Sequence, residues 1–449
     1  MTEEILGEFN NSFKFDRRIF AADIRVSMAY CDELFGAGIF TRIESERVKN
    51  ALQSILKRAD FDKNYFDELS TEDIHSFIET RLVQLIGEAG RKLSVGRSRI
   101  DQAATAFRLW LREETEKISR LTRDLQKVLI TAAENQREAV LPSYTQLRKA
   151  QPILWAHWCL AYFEMLARDH ERLDEAWRRI NVLPLGSGAS VGTSFEIDRE
   201  EIARKLKFEG VTANSLDAVS DCDFAIEFVS ACALIMVHLS RLAEDLILYS
   251  TTEFGFVEFG ESVSSDLNLT SQKKKLDALE LIRGKAGRVF GHQTALLSTL
   301  KGLPLGYNKD LQEDKQAVFD TVDTVSECLR AAQIIVKSLR VNVEKAQIAA
   351  TKGYLNANEI TDYLVQRNLP VRIAEQTVEQ IILYAISKNR ELNELGLEEL
   401  RKFSDIIEKD VFEILSLEQT LVSKNQIGGT SPERVFEALE YAKDSLERE

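Results

Sequence analysis

Clusters of hydrogen-bonding and charged residues punctuate this chain where long apolar patterns stop. They are Asn11-Ser12 with Asp16-Arg17-Arg18, Arg97-Ser98-Arg99, Tyr144-Thr145-Gln146, Asn214-Ser215, Ser264 to Lys275, and Tyr307 to Gln312 with Lys315. Hydroxyl, amide, guanidinium and ammonium groups dominate them, and apolar side chains are scarce. Such a set suits a small polyanion, a dicarboxylate above all, held by charge-assisted hydrogen bonds. Clusters this far apart in sequence converge only if long helices bring their ends together, within one chain or between chains. His75, His157, His170, His238 and His292 share no ligand spacing and read as structural residues. No metal site and no cofactor is therefore expected. His75 stands at a helix start ahead of Arg97, which would let it approach the pocket.

The elements that position these clusters are helices. Ser220 to Ser250 runs without Gly or Pro, which as a helix spans roughly 45 Å. Phe224, Phe228, Ala231, Ile235, Leu239, Leu242 and Leu246 mark one face, while Ala225, Val229, Cys232, Met236 and Ala243 fill its neighbours. A rod apolar on several sides has to be surrounded by other helices. Asp221, Glu227, Arg241, Glu244 and Asp245 are too many charges for a lipid-spanning segment. Further helical patterns cover 23–37, 44–56 and 71–85, then 102–138, a segment after Pro152, 278–301 and 314–341. Shorter ones follow at 358–365, 374–387, 396–408 and 432–442. All six prolines fall at boundaries of these patterns, and no convincing strand is evident. The expected architecture is all-α: an N-terminal helical domain (1–101), a central long-helix bundle that also mediates oligomerisation (102–352) and a small helical C-terminal domain (353–449). Faces this apolar call for burial against partner subunits.

Composition narrows the function. With 449 residues and 44% hydrophobic content the chain can bury a large core. A net charge of -14 offers nothing global to a phosphate backbone, so no nucleic-acid partner is expected. Five scattered cysteines without a CxxC pair suit core thiols in a reducing compartment. The acidic start, Met-Thr-Glu-Glu-Ile-Leu-Gly-Glu, lacks the basic and apolar regions of a secretion signal, so the expected location is cytoplasmic, with no membrane partner.

Ordered stretches of text then carry a family resemblance. They include Phe-Asn-Asn-Ser-Phe-Lys-Phe-Asp-Arg-Arg at 9–18, Glu-Asp-Ile-His at 72–75, Arg-Ser-Arg-Ile-Asp-Gln at 97–102 and Arg-Lys-Ala-Gln-Pro at 148–152. Asn-Ser-Leu-Asp-Ala-Val-Ser-Asp at 214–221, Glu-Leu-Ile-Arg-Gly-Lys-Ala-Gly-Arg-Val-Phe-Gly at 280–291, Leu-Pro-Leu-Gly-Tyr-Asn-Lys-Asp-Leu-Gln-Glu-Asp-Lys at 303–315 and Gly428-Gly429-Thr430 continue it. In these the chain resembles argininosuccinate lyase, of the fumarase/aspartase superfamily, along essentially its whole length. The resemblance implies a homotetramer with a twenty-helix core and active sites built from three subunits. It also implies β-elimination that releases fumarate from an N-succinyl adduct. Ser12, Ser98, Arg99, Thr145, Asn214, Lys273, Tyr307, Gln312 and Lys315 match its substrate-binding positions, and Glu280 matches the residue that orients its histidine.

Departures from the pattern fall on the reacting groups. Gln146 stands where the family has the acid/base histidine, and an amide does not titrate near neutrality. Leu267 stands where the family has its serine base, and Ile100 replaces a ligand-binding asparagine. Asp266, Thr270, Ser271, Lys275 and Leu276 alter the same loop, in which Ser264 and Ser265 are candidate substitutes for the base. Structural alternatives stand beside several site residues: an ion pair of Arg99 with Asp101 or Glu88, a solvated lysine run for Lys273, a helix-start acid for Glu280, and bracing of the break after Pro304 by Tyr307, Gln312 and Lys315. Two functions follow. One is a divergent succinyl-adduct lyase using another base. The other is a catalytically silent paralogue that is structural or ligand-sensing, with an active lyase as a partner subunit.

Overall fold

Long apolar periodicities with proline kept to their ends produce five long helices in the computed structural model, which describes residues 2–260 and 276–448. These are α1 (Arg99–Asn135), α2 (Trp155–Ile180), α3 (Asp223–Ser250), α4 (Asp277–Leu300) and α5 (Asp314–Ser338). They run from 24 to 37 residues, several turns beyond an average helix. The architecture is the all-α bundle expected. On α3 the residues Phe228, Val229, Cys232, Ile235, Met236, Ala243 and Leu246 are all fully buried, so its several apolar faces are covered as its sequence requires. It is also the one helix among the described residues long and apolar enough to cross a membrane by length and composition. Its burial is that of a core helix.

Contacts divide the chain into two compact units, and each of the five helices contributes residues to both. The first comprises Met1–Leu121, Asp169–Val237 and Lys285–Glu327. Its N-terminal helices, Phe20–Gly36, Arg42–Phe61 and Ile74–Ile86, are started by local chemistry. Thr41 and Glu44 form a reciprocal capping box. Asp73, two residues into the pattern expected to begin at 71, accepts from the Ser76 N–H at 2.6 Å. Phe107, Trp110, Phe224 and Phe319 form an aromatic cluster, with Trp110 and Phe319 edge to face at 4.6 Å. Arg108 is nearly inaccessible, lies over the Phe224 ring and pairs with Asp221.

The second unit comprises Thr122–Arg168, His238–Gly284 and Cys328–Glu449. Here Asp245 gathers the Trp158 indole N–H at 3.1 Å and the Tyr162 hydroxyl at 2.8 Å. A separate apolar core in the C-terminal part joins Ile360, Tyr363, Leu364, Ile381, Leu392 and Val411.

The structure departs from expectation in several places. Among the described residues three two-stranded sheets occur where no strand was expected. The largest is the hairpin of β1 (Val140–Thr145) and β2 (Arg148–Leu154), in which Pro142 faces Pro152. Both strands are edges, so neither proline removes a necessary ladder bond. The segment after Pro152 consequently starts its helix at Trp155. An unexpected helix, Arg199–Leu206, is nucleated by Asp198 capping the Glu201 N–H. The pattern at 396–408 yields only the short helix Leu397–Leu400.

Candidate functional site

The first unit holds most of the expected ligand-binding residues, and Ser12, Tyr307, Gln312 and Lys315 stand about one buried ion network. Its foundation is the Asn11-Ser12 turn, pinned to the loop before His75. Asn11 Nδ2 donates to the Thr71 carbonyl at 2.8 Å, and the Ser12 N–H donates to the Glu72 carbonyl at 2.9 Å. Ser12, 3% exposed, donates its hydroxyl to Asp16 one helical turn later. The other Asp16 oxygen is buried and has no hydrogen-bond partner among the described residues. Burial pushes the Asp16 carboxyl above its usual range, against the opposing pull of Lys315.

Lys315, in the first turn of α5, is the hub. Its ammonium lies 3.0 Å from Asp314 and over the Phe107 ring at 5.4 Å. Burial acts to lower its pKa, but Asp314 and Asp16 outweigh burial and raise it. Asp314 is itself buried, and burial raises its carboxyl in spite of Lys315. Tyr307 is half-exposed, and its hydroxyl is raised by burial while feeling Lys315 and Asp16. Gln312 donates to the Asn10 carbonyl at 3.3 Å, and Lys309 meets Glu72 at 3.1 Å, so the 307–315 segment is tied to the N-terminal turn.

A second buried group adjoins it. Asp23, wholly buried, accepts from Gln102 Nε2 at 2.8 and 3.0 Å, and His75 Nδ1 stands 3.2 Å away without hydrogen-bond alignment. Burial acts to raise the Asp23 carboxyl, but His75, Arg97 and Gln102 outweigh it and hold it below the usual range. Arg97 donates to Ser27 at 3.1 Å and covers the Tyr30 ring.

Other expected ligands carry local duties. The Ser98 hydroxyl accepts from the Ile100 N–H at 3.3 Å, at the start of α1. Asp101 takes the Ser98, Gly186 and Gly188 N–H groups and is pushed up to about 6 by burial despite them. It therefore does not pair with Arg99. Arg99 pairs with Glu79 at 2.9 Å and approaches Asp73 at 4.0 Å, correcting both partners offered from sequence, Asp101 and Glu88. The Asn214 oxygen caps the 215–218 turn, leaving only its amide N–H₂ for a ligand.

Thr145 and Gln146 belong to the second unit, at the tip of the β1–β2 hairpin. Thr145 pairs with Arg148, and Gln146 and Leu147 turn the chain at φ 53° and 59°. Two-residue hairpin turns of this hand favour Asn and Gly, so a Gln-Leu tip is held against its preference. Both residues are exposed, Leu147 by 77%. Glu280 is exposed in the first turn of α4. Ser264, Ser265, Leu267 and Lys273 lie outside the described residues.

His75, expected to be structural but placed where it could approach the pocket, lies against Asp23, and neither Asp23 nor Asp314 is among the expected site residues. The available signals were Asp16 four residues after Ser12, Asp314 beside Lys315, and His75 in a capped first turn. Chemically the cluster is more acidic than its sequence runs suggest. Asp16, Asp23, Asp73 and Asp314 surround Lys315, Arg97 and Arg99. Among the described residues no group of His, Cys, Asp and Glu is placed to hold a metal ion.

Comparison with known proteins places this geometry. Residues 1–291 match a family described as lyase, and residues 354–422 match the argininosuccinate lyase C-terminal family. The fold is similar to EDDS lyase in complex with formate, with a TM-score of 0.86 and 25% identity over 97% of this chain and 87% of that one. A variant of the same enzyme with bound fumarate gives the same figures. A fumarate lyase from Mesorhizobium sp. BNC1 matches at TM-score 0.76 and 21% identity, covering 96% of each chain. A class II fumarase from Schistosoma mansoni matches at 0.75 and 15%, over 89% of this chain and 90% of its own, which speaks to fold alone.

Proposed function

Because the chain belongs to the lyase family within the fumarase/aspartase superfamily, we propose that it is a divergent C–N lyase acting on an N-succinyl adduct of the argininosuccinate type. The elimination removes a proton from the carbon beside a carboxylate, breaks the C–N bond, and leaves fumarate and a protonated amine. An acid for the departing nitrogen and a base for the carbon are both required.

One observation carries the reading: the buried Asp16 carboxyl, with one oxygen bound by Ser12 and the other unpartnered among the described residues. Its raised pKa keeps a proton available closer to neutrality than an ordinary aspartate would, beside an ammonium that orients ligand. Asp16 is thus our candidate for the acid that Gln146 cannot be. The acidic surroundings of Lys315 receive the amine or guanidine end of the adduct. The succinyl carboxylates fall to Thr145, Ser98, Asn214 and Lys273, contributed by other subunits of a homotetramer. Ser264 and Ser265 remain candidates for the base.

The test is fumarate absorbance from the purified chain supplied with argininosuccinate and a panel of N-succinyl amines. Asp16→Asn is expected to lower kcat by about 10²–10⁴-fold. Turnover indifferent to Asp16→Asn would overturn this assignment.

A second reading is favoured by the hairpin tip, which offers an amide, Gln146, where proton transfer needs a titratable group, and by Leu267, a hydrocarbon in sequence at the family's serine position. In that reading the chain is a silent ligand-sensing or structural paralogue, assembled with an active lyase. It requires dicarboxylate or adduct binding by calorimetry with no fumarate formed from any adduct.

A further inference from the structure

The Gly428-Gly429-Thr430 run has no part in the chemistry above, yet it lies against the hairpin that carries Thr145 and Gln146. We propose that Glu359 and the 424–431 loop form a clamp on β2, acting as positioning residues for that hairpin. A two-stranded ribbon is marginal by itself, so the place of its tip is decided by what grips its foot. The Gln146 side chain makes no hydrogen bond among the described residues, and the tip backbone is strained.

Glu359 and the loop supply two grips, both within the second unit, in addition to the Lys149 ammonium, which donates to the Ala349 carbonyl at 3.2 Å. The Leu154 N–H, at the end of β2, donates to Thr430 Oγ1 at 3.0 Å, and both residues are buried. Three residues earlier, Gln151 Nε2 donates to Glu359 Oε1 at 3.2 Å. Glu359 is 3% exposed, and its charge is balanced by Lys424 at 2.9 Å with Ser423 donating to its other oxygen at 3.4 Å.

The loop is shaped to bring Lys424 and Thr430 to these places together. Gly429 donates its N–H to the Gln426 carbonyl at 2.8 Å, and a Cβ there would meet the Lys424 carbonyl oxygen at 2.0 Å. Ser431 closes the loop through Asn425 at 3.0 Å. A buried carboxylate and a buried hydroxyl, three residues apart along β2, thereby fix both the height and the rotation of the strand.

Calling the hairpin part of a site rests on the proposed function, but the clamp is testable without it. Hydrogen exchange with mass spectrometry on the full chain compares Thr430→Val, Thr430→Ser, Glu359→Ala and Glu359→Gln with the parent. Peptides within 140–154 are expected to exchange about tenfold faster or more in Thr430→Val and Glu359→Ala, with the 20–36 and 74–86 helices unchanged. Thr430→Ser, which keeps the acceptor, should behave as the parent. Glu359→Gln, which keeps the contact to Gln151 but loses the ion pair, should fall between and stands in if Glu359→Ala does not fold. Unchanged hairpin exchange, or equal acceleration in every peptide, sinks the clamp. Absence of fumarate from the parent chain would count against the proposed activity alone.

Discussion

At the residue scale the most exacting position is Asp23, wholly buried, hydrogen-bonded by Gln102 and held in the field of His75 and Arg97. Removing one partner leaves buried charge uncompensated, so Asp23→Ala is expected to cost about 3–5 kcal/mol in urea unfolding. The carboxyl is held below its unfolded value, so its stabilising contribution is present above that value and is lost as pH falls through the folded one. The stability gap between the parent and Asp23→Asn should therefore be widest near neutral pH and close below about pH 4. A gap constant from pH 3 to 7 would show that Asp23 stays protonated. Arg99 shows the limit of sequence here. Asp101 and Glu88 are near in the chain, but Asp101 is turned toward the Gly186 and Gly188 N–H groups, and Glu79 is the acid within reach.

At the scale of elements, the hairpin and the 424–431 loop carry the clearest backbone arguments. Leu147 sits at φ 59°, where an L-residue costs about 1–2 kcal/mol. Leu147→Gly should accordingly raise stability by about 1 kcal/mol, read as a higher midpoint in denaturant. Gly429→Ala should do the reverse, because its Cβ has only 2.0 Å to a backbone oxygen. A fall in Tm of several degrees is expected for the loss of about 2 kcal/mol, and an unchanged Tm would mean the loop relaxes freely. The helices were legible because their apolar spacing repeats over many turns. The hairpin was not, because Pro142, Pro152 and the polar 144–149 run mask its alternation and its turn lacks the usual Asn-Gly.

For the whole molecule, the long helices leave apolar residues uncovered in a single chain. Leu281 and Leu297 on α4 are 60% and 51% exposed, and Ile334 on α5 is 57% exposed. Residues of this size on helices of a bundle are the natural contact of one copy with another. Sedimentation of the purified chain should show an oligomer, and Leu297→Glu with Ile334→Glu should shift it toward monomer while retaining helical circular dichroism. A monomeric parent would remove the basis for sites shared among subunits.

Periodicity and punctuation were enough to establish an all-α chain built on long rods, to place its polar clusters at helix ends and, through ordered motifs, to indicate its family. These properties are written in spacing and local residue type, which need no knowledge of distant neighbours. The partnership of Asp16 with Lys315, the burial of Asp23 against His75 and the seating of β2 on Glu359 and Thr430 were settled only by folding. Each joins residues tens to hundreds of positions apart, and burial, which sets their charge states, is a property of everything packed around them rather than of the residues themselves.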